Sequence, residues 1–140
     1  MKKYEDERIS FFYPEEFKIT NVKSKYGSYT LIKRNKTLYI TIDLISSDAI
    51  GSVKRVIQSQ PSPDVGDTAK VKYMESVVIG EKQGIGHFAK TYDHSRNLWG
   101  KICRILFKIN TGGLYIEISS REDFILDSYK DILESIKVKE

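Results

Sequence analysis

The chain has 140 residues, 40% of them hydrophobic and 30% charged, with 23 basic and 19 acidic side chains for a formal charge of +4. This length accounts for one ordinary domain, 1–140, and a composition this apolar excludes intrinsic disorder. The basic excess is small and spread over both halves, which excludes a basic tail or stripe. Cys103 is the sole cysteine, so an intramolecular disulfide is excluded, a thiolate zinc site is disfavoured, and a reducing compartment fits.

The amino end, Met1-Lys2-Lys3-Tyr4-Glu5-Asp6-Glu7-Arg8, has no apolar run after its basic pair. No apolar stretch in the chain approaches the roughly 18 residues of a membrane span. The expected location is the cytoplasm, unless a signal or lipoprotein anchor has been removed.

The first β-rich run is Ile9-Ser10-Phe11-Phe12-Tyr13, ended by Pro14, which has no amide to give a ladder. An extended pattern resumes over 17–22. A hairpin is then expected, with 29–33 and 38–45 flanking Arg34-Asn35-Lys36-Thr37. Setting Lys33 opposite Leu38 puts Tyr29, Leu31, Ile40, Ile42 and Leu44 on one face, because side chains alternate with period two.

Ser46-Ser47-Asp48 is a helix start, since short oxygen-bearing side chains accept the first turn's orphan amide hydrogens. Ala49, Ile50, Val53, Val56 and Ile57 follow at helical spacing. Two prolines and a glycine over 60–67 make a loop, and 71–79 reads as a strand closed by a turn at 80–84. Three strands then emerge at 85–92, 99–109 and 114–119. Setting Ile109 opposite Leu114 across Asn110-Thr111-Gly112-Gly113 places Ile105, Phe107, Ile109, Leu114, Ile116 and Ile118 on one apolar face. The other face mixes Leu106 and Tyr115 with Arg104, Lys108 and Glu117, and is expected to be covered in part. Ser120-Arg121-Glu122-Asp123 resembles a capping box, and Phe124, Ile125, Tyr129, Ile132, Leu133 and Ile136 mark a second helix face. The expected class is α+β: an antiparallel sheet of about six or seven strands with helices packed on it.

The order of elements resembles the PsbP family and its structural relative, the Mog-type Ran-binding factors. The likeness rests on Ile9-Ser10-Phe11-Phe12-Tyr13-Pro14 with Phe17, the helix after Ser47, the Ile79-Gly80 turn, and the end running from Phe124 to Leu133-Glu134-Ser135-Ile136-Lys137-Val138. It implies an α/β/α sandwich among adaptor and accessory proteins that share no catalytic site. No targeting segment is recognised in the sequence, so a role on a photosystem, as in the photosynthetic members, is not expected.

Chemistry-bearing patterns are sparse. His87, His94 and Cys103 are the only soft metal ligands, and with Tyr92 facing Trp99 the pair His87 and Cys103 project to opposite faces, so no metal or other cofactor is expected. No G-x-S-x-G is present, and Ser52 lies inside a helix, the wrong setting for a nucleophile elbow. Gly84-Ile85-Gly86-His87 leads into a strand, whereas a phosphate cradle feeds a helix. Asp123, Asp127 and Asp131 read as a solvated helix stripe. The expected function is therefore a non-enzymatic interaction or accessory module with a protein partner. Its candidate contacts are Tyr92, His94, Arg96 and Trp99 around the polar loop 93–98, since loops held by rigid strands are common recognition sites. A weak single-stranded nucleic-acid binder is the alternative, from a pI near 9.0 and the interleaving of Tyr39, Tyr92, Trp99 and Tyr115 with Lys33, Lys90, Lys101 and Lys108. A small-molecule enzyme of unrecognised type stands third.

Overall fold

The computed structural model describes residues 1–24, 27–35, 38–58, 68–93, 98–120 and 129–140. Period-two alternation over most of these stretches gives the backbone one face to bury as a strand and no helical stripe. In chain order the elements are β1 (Lys2–Glu5), β2 (Ile9–Tyr13), β3 (Lys18–Ser24), β4 (Gly27–Asn35), β5 (Leu38–Ser46), α1 (Ser47–Gln58), β6 (Thr68–Ile79), β7 (Lys82–Asp93), β8 (Leu98–Ile109), β9 (Gly112–Ser120), α2 (Lys130–Ser135) and β10 (Lys137–Val138). They form a seven-stranded antiparallel sheet in the order β3-β4-β5-β9-β8-β7-β6 and a three-stranded one in the order β1-β2-β10.

The inner face of the larger sheet carries Ile40, Ile42, Ile105, Phe107, Leu114, Ile116 and Ile118, all at most 2% exposed. It packs against Ile9 and Phe11 of the smaller sheet and Ile132, Leu133 and Ile136 around α2. Each such side chain contributes about 1.5–3 kcal/mol by leaving water, so this layer dominates stability. The outer face is covered only in part, by α1, whose Ile57 is fully buried.

This arrangement corrects the expected class. The chain is mostly β, and it is not an α/β/α sandwich. The inner face is closed by a second sheet together with a six-residue helix, not by a helix layer. The strands responsible carry weak signals: β1 is Lys-Lys-Tyr-Glu and β10 has two residues. Ser120 is the last residue of β9; the rest of the expected cap and the first part of the expected helix, 121–128, lie outside the described residues. The proline loop 60–67 also falls wholly outside them.

Two registers differ from expectation, with different consequences. Ile109 pairs with Gly112, and Leu114 with Phe107, because the turn is only Asn110-Thr111. That shift of two residues keeps every side chain on its face. Gly112 is required there, since a Cβ would overlap the Ile45 carbonyl oxygen. In the β4–β5 hairpin an irregularity between Lys33 and Asn35 makes Lys33 pair with Tyr39, so Leu31 faces Thr41 and Thr30 faces Ile42. This shift of one residue turns Tyr29 and Leu31 outward and Thr30 inward. Thr30 is fully buried, and its hydroxyl donates to Asn21 Oδ1 at 3.3 Å.

The smaller sheet is held at its turn by Asp6, whose Oδ1 accepts the amides of Arg8 at 2.7 Å and Ile9 at 2.9 Å. The carboxy-terminal segment closes on the same turn: the Lys139 amide donates to the Arg8 carbonyl at 2.8 Å and its Nζ to the Asp6 carbonyl at 2.6 Å. Burial alone raises the Asp6 carboxyl, but hydrogen bonds from the Ile9 amide, the Tyr4 hydroxyl and the Arg8 amide outweigh it and hold the group below its ordinary 3.8.

Two outcomes follow. Ile116→Asp places an unpaired charge in the core and should cost more than about 4 kcal/mol or abolish folding, whereas Val78→Thr on the 62%-exposed Val78 should stay within about 0.5 kcal/mol. Urea denaturation compares them; similar losses would contradict the assigned face. Asp6→Ala should cost on the order of 1 kcal/mol at pH 7, kept small by solvent. Because the folded carboxyl is the stronger acid, the stability it contributes is present above pH 3.8 and disappears on acidification. Denaturation at pH 7 and pH 2.5 should therefore show the variant's deficit shrinking with acid.

Candidate functional site

Across the outer face, register pairs align His87 with Arg104, Arg104 with Glu117, and Glu117 with Thr41, a row running from β7 to β5. His87 is 1% exposed, beneath α1. Arg104 Nη1 lies 3.2 Å from His87 Nε2, and His87 Nδ1 lies 3.2 Å from the Ile57 carbonyl oxygen. A guanidinium only donates, so Nε2 is the acceptor and Nδ1 carries the proton given to Ile57. Arg104 Nε sits 3.5 Å from Glu117 Oε2, and the Tyr115 hydroxyl donates to that same oxygen at 3.0 Å. Burial, then the neighbouring Glu117 charge, raises the Tyr115 phenol and keeps it protonated. The row therefore has a direction, with hydrogens passed from Tyr115 and Arg104 to Glu117, from Arg104 to His87, and from His87 to the helix.

At its open end the row borders a shallow basin of about 270 Å³ lined by Tyr29, Thr41, Asp43, Tyr115 and Glu117. Asp43 pairs in register with Tyr115. Burial raises the Asp43 carboxyl above its ordinary value, against the field of Arg8 and the Leu44 amide. Among the described residues no ion pair closes on Asp43, and neither contact to Glu117 uses Oε1. Lys33 Nζ stands 5.5 Å from the centroid of the Tyr39 ring on the same face. The basin thus offers two carboxylates and two phenols on five side chains fixed by paired strands, a surface rich in acceptors.

The expected contact residues fall elsewhere. Tyr92 and Trp99 pair directly across β7 and β8, as their spacing predicts, while His94 and Arg96 lie outside the described residues. His87 and Cys103 are on opposite faces, since Cys103 pairs with Phe88 and is fully buried in the core. Burial pushes the Cys103 thiol up to about 12. Ser52 is exposed on α1, and Gly84 to His87 run within β7. Asp131 is exposed on α2; Asp123 and Asp127 lie outside the described residues. Among those residues no group of three His, Cys, Asp or Glu side chains forms a metal-sized cluster, and no helix is long and apolar enough to cross a membrane.

The basin was partly visible in sequence: Tyr39, Thr41 and Asp43 alternate with Ile40, Ile42 and Leu44. Tyr29 was not, because the irregularity at the end of β4 moves it across the sheet.

No family model and no curated protein matches the chain. Among solved structures, a crystal structure from Bacteroides thetaiotaomicron VPI-5482 is similar, with a TM-score of 0.61 and 9% identity over 94% of this chain and 45% of that chain. The present chain therefore spans less than half the length of that protein. At this identity the likeness concerns fold alone.

A thiol reagent such as DTNB at pH 8 should leave native Cys103 unmodified and label it only on unfolding. Rapid labelling of the native chain would contradict its burial.

Proposed function

We propose that the chain is a non-enzymatic interaction module that binds a protein partner on the uncovered part of its outer sheet face, taking a basic side chain of that partner into the basin. The observation that carries this reading is Asp43, a half-buried carboxylate beside Tyr115 and across the basin from Glu117. Its desolvation opposes folding, and a residue that costs stability on a surface otherwise well satisfied is a feature of binding sites. Lysine or arginine from a partner offsets that desolvation by adding charge and hydrogens beyond those of Arg8 and the Leu44 amide. Tyrosines on rigid strands add contact area at small entropic cost. The reading rests on the basin and not on the PsbP/Mog resemblance, whose sandwich this chain does not adopt. The loop with Tyr92, His94, Arg96 and Trp99 remains a second proposed contact, and a cytoplasmic setting is part of the same proposal.

End-blocked Gly-Arg-Gly and Gly-Lys-Gly peptides, titrated against the isotope-labelled chain, should shift the amides of Thr41, Asp43, Tyr115 and Glu117. A Gly-Glu-Gly peptide should not. Asp43→Asn combined with Glu117→Gln should weaken this binding about tenfold or more, the scale of one charge-assisted contact. Absence of those shifts, or tight oligonucleotide binding that falls steeply with salt, would overturn the reading in favour of the nucleic-acid alternative or neither. Asp43→Asn alone carries a signed expectation. The folded carboxyl is the weaker acid, so its ionisation costs stability at neutral pH and the cost vanishes below pH 3.8. The variant should be more stable than the parent at pH 7 and indistinguishable from it in acid.

A further inference from the structure

A second concavity, sharing no lining residue with the basin, lies between the amino-terminal half of α1 and the outward side chains of β7 and β8. It measures about 420 Å³, within the usual range for small-ligand clefts. The helix contributes Ile50, Gly51 and Lys54 from one stripe, and the sheet contributes Ile85, Leu106 and Lys108. Leu106 is 6% exposed, and Ile50 and Ile85 are half-buried, so the floor is apolar. Both lysines are exposed, one on each wall, and no acidic residue lines the cleft. Among the described residues neither lysine has an ion-pair partner.

Gly51 lines the helix side of this space. It sits in the interior of α1, where glycine is a poor choice for helix stability, and a Cβ added there would meet nothing within 4 Å. The helix is fixed to the sheet at its other end, through Ile57 and His87. Gly51 is exposed at the helix side of the cleft, so its bare backbone leaves that rim unobstructed.

We infer that this cleft is a binding site for a small anionic amphiphile, an acid whose apolar body lies on Ile50, Ile85 and Leu106 while its carboxylate meets Lys54 and Lys108. Two cations without acids around an apolar floor select the sign of the head group, and the bare Gly51 backbone leaves the rim unobstructed for the body. The site is independent of the basin.

Decanoate and decylamine, matched in tail and opposite in charge, test this at submicellar concentration. Decanoate should bind saturably and shift the amides of Gly51, Ile85, Leu106 and Lys108, and decylamine should not. Gly51→Leu should abolish decanoate binding while leaving thermal stability equal or higher. Lys54→Gln with Lys108→Gln, both at exposed positions, should weaken binding at least tenfold without unfolding the chain. Equal binding of the two probes, no saturable binding of decanoate, or undiminished binding by either variant would overturn the inference.

Discussion

One hydrogen-bonded row, buried at His87 and half-buried beyond it, decides how the outer layer sits. His87 gives its Nδ1 hydrogen to the carbonyl of Ile57 and receives one from Arg104, which in turn is held by Glu117. Buried polar groups are expensive unless paired, and here each pairing fixes the next. The imidazole has one tautomer open to it, and the end of α1 has one seat. The inner core supplies most of the stability, and this row together with the fully buried Ile57 sets where the end of α1 rests.

Both concavities are consequences of that seat. Anchored by its last turn, α1 lies against β5, β7, β8 and β9, and the outward side chains of Tyr29, Thr41, Asp43, Tyr115 and Glu117 stay only half-buried around the basin. Toward its first turn, the exposed Gly51 leaves the helix rim of the second cleft unobstructed. The two hollows have opposite character: one is lined by carboxylates and phenols, the other by apolar groups between lysines. A chain with a small net charge thereby presents two surfaces of opposite sign, a difference that its composition hides.

Strands with clean alternation were legible from sequence, because period two and burial on one side dictate them. The β8–β9 face was readable even though its pairing was displaced, since a two-residue shift preserves which side each residue takes. The β4–β5 hairpin was not: one extra residue near Arg34 reverses a face, and nothing in Lys33-Arg34-Asn35 announces it. The layer closing the core was misread for a different reason. Four mostly charged residues and a two-residue strand have no intrinsic preference for a sheet, and pair only because Ile9-Ser10-Phe11 between them is already ordered by the core. The buried role of His87 was equally hidden, because a lone histidine in a strand carries no mark of the arginine and carbonyl that will flank it.

The protonation of His87 tests this account most directly, because the seating of α1 and both concavities depend on it. Long-range proton–nitrogen correlation on the labelled chain at neutral pH reports which ring nitrogen holds the hydrogen. The account predicts a neutral ring with its proton on Nδ1 and a bare Nε2, and loss of that signature in Arg104→Leu. A proton on Nε2, or an unchanged ring in the variant, would contradict it.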